Sequence, residues 1–339
     1  MTRDRDVQTL VDRARKGDPR SVARLISLVE DGAPQLREVT AALAPHTGRA
    51  YLVGLTGAPG VGKSTTTNAL VGRFRAEGRR VGVLAVDPSS PFSGGALLGD
   101  RVRMQEHATD PEVFIRSMAS RGHLGGLSAA TPQALRVLDG AGCEVVLVET
   151  VGVGQSEIEI ASAADTTVVL LAPGMGDGIQ AAKAGILEIG DVYVVNKADR
   201  DGADATVREL RHMLALGGGR GPGDWRPPIV KTVAATGAGL DEFVAALAEH
   251  RDWLAESGQL EVRRKARIAT EIEAVALGSL RARFTAHQGA VGAAGGRGGG
   301  RSGSGRLQEL ADEVYQGTLD PFAAADALLG SFAFKPVEA

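Results

Sequence analysis

The stretch that most constrains this chain is a nine-residue loop made of Gly57, Ala58, Pro59, Gly60, Val61, Gly62, Lys63, Ser64 and Thr65. An apolar run at 51–56 enters it, and a helix-forming stretch at 64–77 leaves it. Strand, glycine-rich turn and helix, in that order, form the context of a phosphate-binding P-loop. The glycines let successive backbone N–H groups turn inward around an oxyanion, with no Cβ in the way. The positive end of the following helix adds to that field. Lys63 is expected to reach the terminal phosphates, and the Ser64 hydroxyl to ligate Mg²⁺. A loop that merely turns the chain has no need of the Lys-Ser pair, so the pattern predicts a nucleoside-triphosphate site.

The 339 residues suffice for one large domain or for one domain with appended pieces. A net charge of −3 gives no global reason to expect nucleic acid or an anionic membrane as partner. The lone cysteine, Cys143, leaves no intrachain disulfide and no CxxC metal site. The N-terminal residues carry mixed charges without an apolar core, and no apolar run reaches membrane-spanning length. The expectation is a soluble, cytoplasmic protein.

Residues 1–48 show helical spacing of Val7, Leu10 and Val11, then Val22, Leu25, Ile26 and Val29, then Leu36, Val39 and Leu43. They are expected to form an N-terminal helical cap. Residues 49–258 alternate β-rich runs (81–86, 113–117, 144–149, 167–172, 192–196, 229–232) with helical stretches (131–139, 156–163, 179–187, 203–215, 240–256). Several strands are apolar throughout, as strands covered on both faces are. The expected class is α/β, a P-loop NTPase with a mainly parallel central sheet and its ligand at the carboxyl ends of the strands. Residues 259–339 are expected to form a C-terminal helical arm with helices at 261–287 and 306–315. A Gly-rich flexible loop at 289–305, with arginines at 297 and 301, interrupts the arm.

Asn196, Lys197 and Asp199 form an N-K-x-D run after the strand at 192–196, the pattern by which GTPases recognise guanine. The Asp199 carboxylate can accept from the ring N–H and the exocyclic amine of guanine, donors that adenine lacks there. Sites built on such buried bonds reject analogues lacking the donors by about 10⁴–10⁵-fold. Lys197 would lay its stem over the base, and Asn196 would brace the loops. Glu149 closes the strand at 144–149, where P-loop NTPases hold a metal-ligating carboxylate, usually Asp. Gly152 can give its N–H to the γ-phosphate, and Gln155 is a candidate to orient water. Asp87, after the strand at 81–86, and Asp100, in a glycine-rich loop, are candidate Mg²⁺ ligands. Carboxylates beside a triphosphate repel it unless a cation lies between them.

With these motifs in this order, the chain resembles the MeaB/MMAA (formerly ArgK) family of SIMIBI-class GTPases associated with methylmalonyl-CoA mutase. The stretches at 116–126 and 314–322 are also similar to family segments, so the resemblance spans nearly the whole chain; the glycine-rich stretch in the arm departs from it. The resemblance implies a homodimeric chaperone whose arm dimerises, and which binds an adenosylcobalamin-dependent acyl-CoA mutase such as methylmalonyl-CoA mutase. GTP hydrolysis to GDP would gate loading, protection and release of the mutase's cofactor. Lys63, Asp87, Asp100 and Glu149 match the family's nucleotide and Mg²⁺ residues. Asp177, Gln180 and Lys183 lie in a stretch matching a mobile loop that communicates with the mutase.

Two other classes compete. A SIMIBI metal-insertion GTPase would normally need a Cys/His cluster, whereas here the six histidines are scattered. A transport-associated ATPase or kinase would have no need of a guanine-reading Asp199. Base recognition is testable directly. Asp199→Asn is expected to weaken GTP binding and to favour xanthosine triphosphate, because the amide offers a donor where guanine also donates and xanthine presents a carbonyl. Unchanged GTP affinity in a titration of this variant would remove Asp199 from base recognition.

Overall fold

Strand β1 (Tyr51–Thr56) is buried at every residue, and the rest of the sheet is laid out from it. The computed structural model describes residues 6–87, 104–107, 109–119, 130–150, 156–174, 188–216, 221, 223–290, 303–316 and 318–330. Six more strands follow: β2 (Val81–Asp87), β3 (Val113–Ala119), β4 (Val145–Thr150), β5 (Thr166–Leu171), β6 (Val192–Val195) and β7 (Ile229–Lys231). They form one sheet in the order β3-β2-β4-β1-β5-β6-β7, with every neighbouring pair parallel. The expected parallel α/β sheet is therefore present. Parallel neighbours require crossovers, which the helices supply.

Eleven α-helices lie among the described residues: α1 (Val7–Arg15), α2 (Pro19–Glu30), α3 (Leu36–Leu43), α4 (Lys63–Ala76), α5 (Thr131–Gly140), α6 (Ser156–Ala163), α7 (Ala203–Leu216), α8 (Leu240–Glu256), α9 (Gln259–Ala290), α10 (Gly303–Tyr315) and α11 (Pro321–Gly330). Helix α2 shows how local sequence sets an end. Asp18 accepts from the Ser21 N–H at 3.3 Å, and Pro19 occupies the first turn, where its missing N–H costs nothing. Its stripe of Val22, Leu25, Ile26 and Val29 is buried. Together with Val11, Val39 and Leu43 it forms one core cluster with Leu138 of α5 and with Leu52, Leu84, Val146 and Val148 of the sheet. The first three helices thus share the core of the sheet. On the opposite face Val53, Leu55, Val83 and Leu147 pack with Leu70 and Phe74 of α4 and with Phe243 and Leu247 of α8. No described helix is long and apolar enough to cross a membrane.

The chain divides into two compact units, Met1–Ile268 and Ala269–Ala339. Helix is present at residues 289–290 and again from 303, inside the stretch expected to be a flexible loop; residues 291–302 lie outside the described residues. Glycines at a helix end need only the added hydrogen bonds to offset roughly 1 kcal/mol each. The helix expected at 179–187 lies outside the described residues.

At the amino end of the sheet two buried aspartates receive the first turns of α9. Asp165, just before β5, accepts from the Leu52 N–H at 3.1 Å, from Arg264 at 2.7 Å and from Arg267 at 3.2 Å. Asp191, just before β6, accepts from the Thr167 N–H at 2.9 Å and takes a two-pronged contact from Arg263 at 2.8 and 2.9 Å. Removing one partner from such a buried set costs about 3–5 kcal/mol, because the other charge is stranded. His250 of α8 is fully buried beside them. Its Nδ1 lies 2.7 Å from Thr166 Oγ1, and its Nε2 lies 3.4 Å from Asp191 Oδ1. The rings of Trp225 and Trp253 enclose it, with centroids 4.7 and 5.8 Å away.

Burial pulls the His250 imidazole down to about 4, with Asp191 opposing the shift only in part. An unfolded histidine titrates near 6.5. Between these values the unfolded chain binds a proton that the folded chain refuses, so His250 lowers stability as pH falls through that window, by up to about 3 kcal/mol at its foot. His250→Gln is expected to flatten the stability–pH profile between about 6.5 and 4. An NMR titration placing the His250 midpoint near 6.5 would refute this.

Candidate functional site

The phosphate loop sits at the carboxyl end of β1, and α4 begins at Lys63. Two of its glycines are required by geometry. Gly57 has φ +141°, and a Cβ there would strike the Leu170 carbonyl of β5. Gly62 has φ +98°, and a Cβ there would strike the Asn196 side-chain amide. Positive φ and the absence of space for a side chain explain these residues together. The Lys63 ammonium, largely buried, donates to the Gly57 carbonyl at 2.6 Å and to the Ala58 carbonyl at 3.1 Å. Pro59, Gly60 and Thr65 are exposed.

Strand β4 lies next to β1 with Glu149 in register with Leu55, which carries its carboxylate beside the loop. Glu149 is only 2% exposed. It accepts from the Ser64 hydroxyl at 2.6 Å and from the Thr67 hydroxyl at 3.0 Å. This is a hard-oxygen donor set, a carboxylate and a hydroxyl at the foot of a P-loop, of the kind Mg²⁺ takes alongside phosphate oxygens. The hydroxyls of Thr56 and Thr150, at the ends of the same two strands, are buried with no hydrogen-bond partner among the described residues. Asp87 is the last residue of β2, adjacent to β4, two positions beyond the Ala85 that pairs with Glu149. The residues present therefore fit a divalent cation.

The guanine-type motif comes to the phosphate loop through β6, two strands from β1. Asn196, buried just past the strand, donates from Nδ2 to the Val61 carbonyl at 2.9 Å. Its Oδ1 accepts from the Ala234 N–H at 3.1 Å and from the Thr232 hydroxyl at 3.2 Å. Lys197 holds φ +57°, a left-handed backbone that a non-glycine residue adopts at a cost. The Ala198 N–H bonded to the Thr232 carbonyl at 3.0 Å and the Lys197 ammonium on the Gly60 carbonyl at 2.6 Å hold it there. Asp199 is exposed beyond them.

The structure thus gathers the 57–65 loop, Glu149, Asn196 and Lys197 on one edge, with Asp199 at its rim. Asp100, Gly152, Gln155, Asp177, Gln180 and Lys183 lie outside the described residues. Sequence reasoning missed Thr67, Thr232 and Ala234. Thr67 was discoverable, since it lies one helical turn beyond Lys63 and its hydroxyl also reaches the Lys63 carbonyl at 3.0 Å. Thr232 and Ala234 show only as small residues after a short edge strand.

Gly62→Ala tests the junction of the loop with Asn196. The positive φ and the collision should cost about 1–3 kcal/mol in urea unfolding and weaken nucleotide binding at least about tenfold. Parent-like affinity would show that the loop does not need this conformation.

Comparison with known proteins agrees with the geometry. The family model described as "Methylmalonyl Co-A mutase-associated GTPase MeaB" matches residues 22–289. The chain is 48% identical over 324 residues to a protein of Pyrococcus abyssi, covering 95% of this chain and 96% of that one. It is 39% identical over 258 residues to the GTPase ArgK of Escherichia coli, covering 74% and 78%. The crystal structure of a LAO/AO transport system kinase superposes with a TM-score of 0.68 at 26% identity, covering 96% of each chain. With its P-loop, buried glutamate and guanine-type motif on a seven-stranded parallel sheet, the chain belongs to the MeaB family of P-loop GTPases.

Proposed function

We propose that this GTPase is a chaperone of an adenosylcobalamin-dependent acyl-CoA mutase of the methylmalonyl-CoA mutase type. GTP hydrolysis to GDP and phosphate would gate cofactor loading, protection and release. The observation that carries this reading is the match of residues 22–289 to a family described as mutase-associated. The site supplies the chemistry of a switch. Lys63 exchanges the Gly57 and Ala58 carbonyls for the terminal phosphate oxygens. Ser64 and Glu149, with Asp87 and Asp100, would hold Mg²⁺, which when bound neutralises phosphate charge. Gly152 would follow the γ-phosphate, and Gln155 would orient the attacking water. Asn196 and Lys197 shape the base pocket, and Asp199 accepts from guanine.

The arm supports a homodimer. Ile268, Ile272 and Val275 recur at i, i+4 and i+7 along α9 and are exposed, at 43%, 64% and 51%. Apolar residues at this spacing make a face for another helix, and a second copy across a two-fold axis would present the same residues. The structural neighbour, a LAO/AO transport system kinase, favours a second reading, a kinase of a transport system. Transfer of the γ-phosphoryl group to a protein, in place of release as inorganic phosphate, would separate the two.

Turnover with and without the mutase tests the principal reading. Assisted GTPases gain about 10³–10⁵-fold, and stimulation by saturating mutase is expected here. Replacing Asp177, Gln180 or Lys183 by Ala should spare intrinsic hydrolysis and guanine affinity while blunting that stimulation. By linkage, these variants should also reduce the effect of GTP on cofactor binding by the mutase. Equal stimulation of parent and variants would remove the loop from the mechanism, and no stimulation of the parent would remove this coupling to the mutase.

A further inference from the structure

The nucleotide machinery occupies the carboxyl ends of the strands. At the amino ends lies a separate cleft of about 520 Å³ that none of the described site residues lines. Arg15, Arg49, Arg79, Arg251, Arg264 and His46 converge on it. They come from the last turn of α1, the approaches to β1 and β2, the C-terminal half of α8 and the start of α9. No sequence motif connects them; the ends of a parallel sheet bring them together.

The two carboxylates in the lining are already engaged. Asp139 accepts from three consecutive backbone N–H groups, those of Gly48, Arg49 at 3.2 Å and Ala50 at 2.9 Å. Glu144 accepts from the Arg80 N–H at 3.2 Å. Arg264 is neutralised by the buried Asp165, and Arg79 by the half-exposed Glu77 at 2.9 Å. Among the described residues the carboxylate that Arg251 meets is that of its exposed sequence neighbour Asp252, at 3.1 Å, and its guanidinium lies 5.9 Å from the centre of the Tyr51 ring. Arg15 and Arg49 are exposed and have no carboxylate partner among the described residues. An exposed pair such as Arg251–Asp252 is worth about 0–1 kcal/mol, so it does not silence Arg251.

Three guanidinium groups thus face this concave surface with no buried carboxylate partner among the described residues. Like charges gathered in a cleft repel one another and focus a positive potential into it. An anion relieves both effects. Guanidinium groups present planar forks that match phosphate oxygens two at a time, which a point-like ammonium does not. A cavity of some 520 Å³ falls in the range of small-molecule sites and exceeds what a lone phosphate needs. We propose that this cleft binds a small organic molecule carrying two phosphate groups, of nucleotide size, at the end of the sheet opposite the GTP site.

The test uses the full chain saturated with GDP and Mg²⁺, so that the P-loop is occupied. The probe is adenosine 3′,5′-bisphosphate, which lacks the guanine donors, titrated calorimetrically at low and at physiological salt. Saturable binding tighter than about 100 μM at low salt is expected, weakening as salt rises. The double variant Arg15→Glu, Arg49→Glu should weaken it by more than about tenfold and leave GDP affinity unchanged. Both side chains are exposed, and Arg49→Lys, which keeps the charge but loses the fork, should give an intermediate affinity. The proposal is overturned if no saturable binding occurs up to about 1 mM, or if charge reversal leaves the affinity unchanged. Equally tight binding of inorganic phosphate would also overturn it, by reducing the cleft to a single-anion site.

Discussion

The contact on which the site depends is the buried side chain of Asn196. One amide group joins the phosphate loop through the Val61 carbonyl to the segment after β7 through the Ala234 N–H and the Thr232 hydroxyl. A hydrogen bond of this kind contributes about 1 kcal/mol net, but leaving a buried partner unsatisfied costs about 1–3 kcal/mol. The three bonds therefore matter most as a constraint on geometry. They fix the distance between the 57–65 loop and the 196–199 run. Gly62 belongs to the same constraint, since any side chain there would enter the space that Asn196 occupies.

The sheet divides the molecule's chemistry between its two ends. At the carboxyl ends Glu149 is held by hydroxyl groups, which leave a carboxylate able to take a cation. At the amino ends Asp165 and Asp191 are held by backbone N–H groups and by the arginines of α9, which consume their charge. Three buried carboxylates on one sheet thus have two different uses, and their partners decide which. A carboxylate already neutralised by guanidinium groups has little left to offer a metal.

The phosphate loop, Glu149 and the 196–199 run were legible because each is a local pattern whose function lies in its spacing along the chain. The parallel sheet was legible because β1, β4 and β5 are apolar on both faces and alternate with helical stretches. The rest is non-local. Ala234 meets Asn196 across 38 residues, and the link exists only because β6 and β7 pair in parallel register. A backbone N–H carries no sequence signature at all. Three arginines of α9 find their partners only in the aspartates before β5 and β6, about 70–100 residues earlier. Helix ends in the glycine-rich segment were misjudged because composition reports the average cost of ordering a stretch, whereas a helix adds residues one at a time.

The polar groups of the phosphate loop are bonded within the chain. The Lys63 ammonium rests on two loop carbonyls, and Ser64 and Thr67 orient the Glu149 carboxylate. Hydrogen bonds to charged groups contribute about 1.5–3 kcal/mol, so these contacts hold the groups near their working positions. What a nucleotide must offer is a better acceptor than a neutral carbonyl, and a phosphate oxygen bearing charge is one. The trade favours a polyphosphate over a neutral ligand at Lys63. The Asn196 amide thus ties the loop that carries Lys63 to the segments that follow β6 and β7.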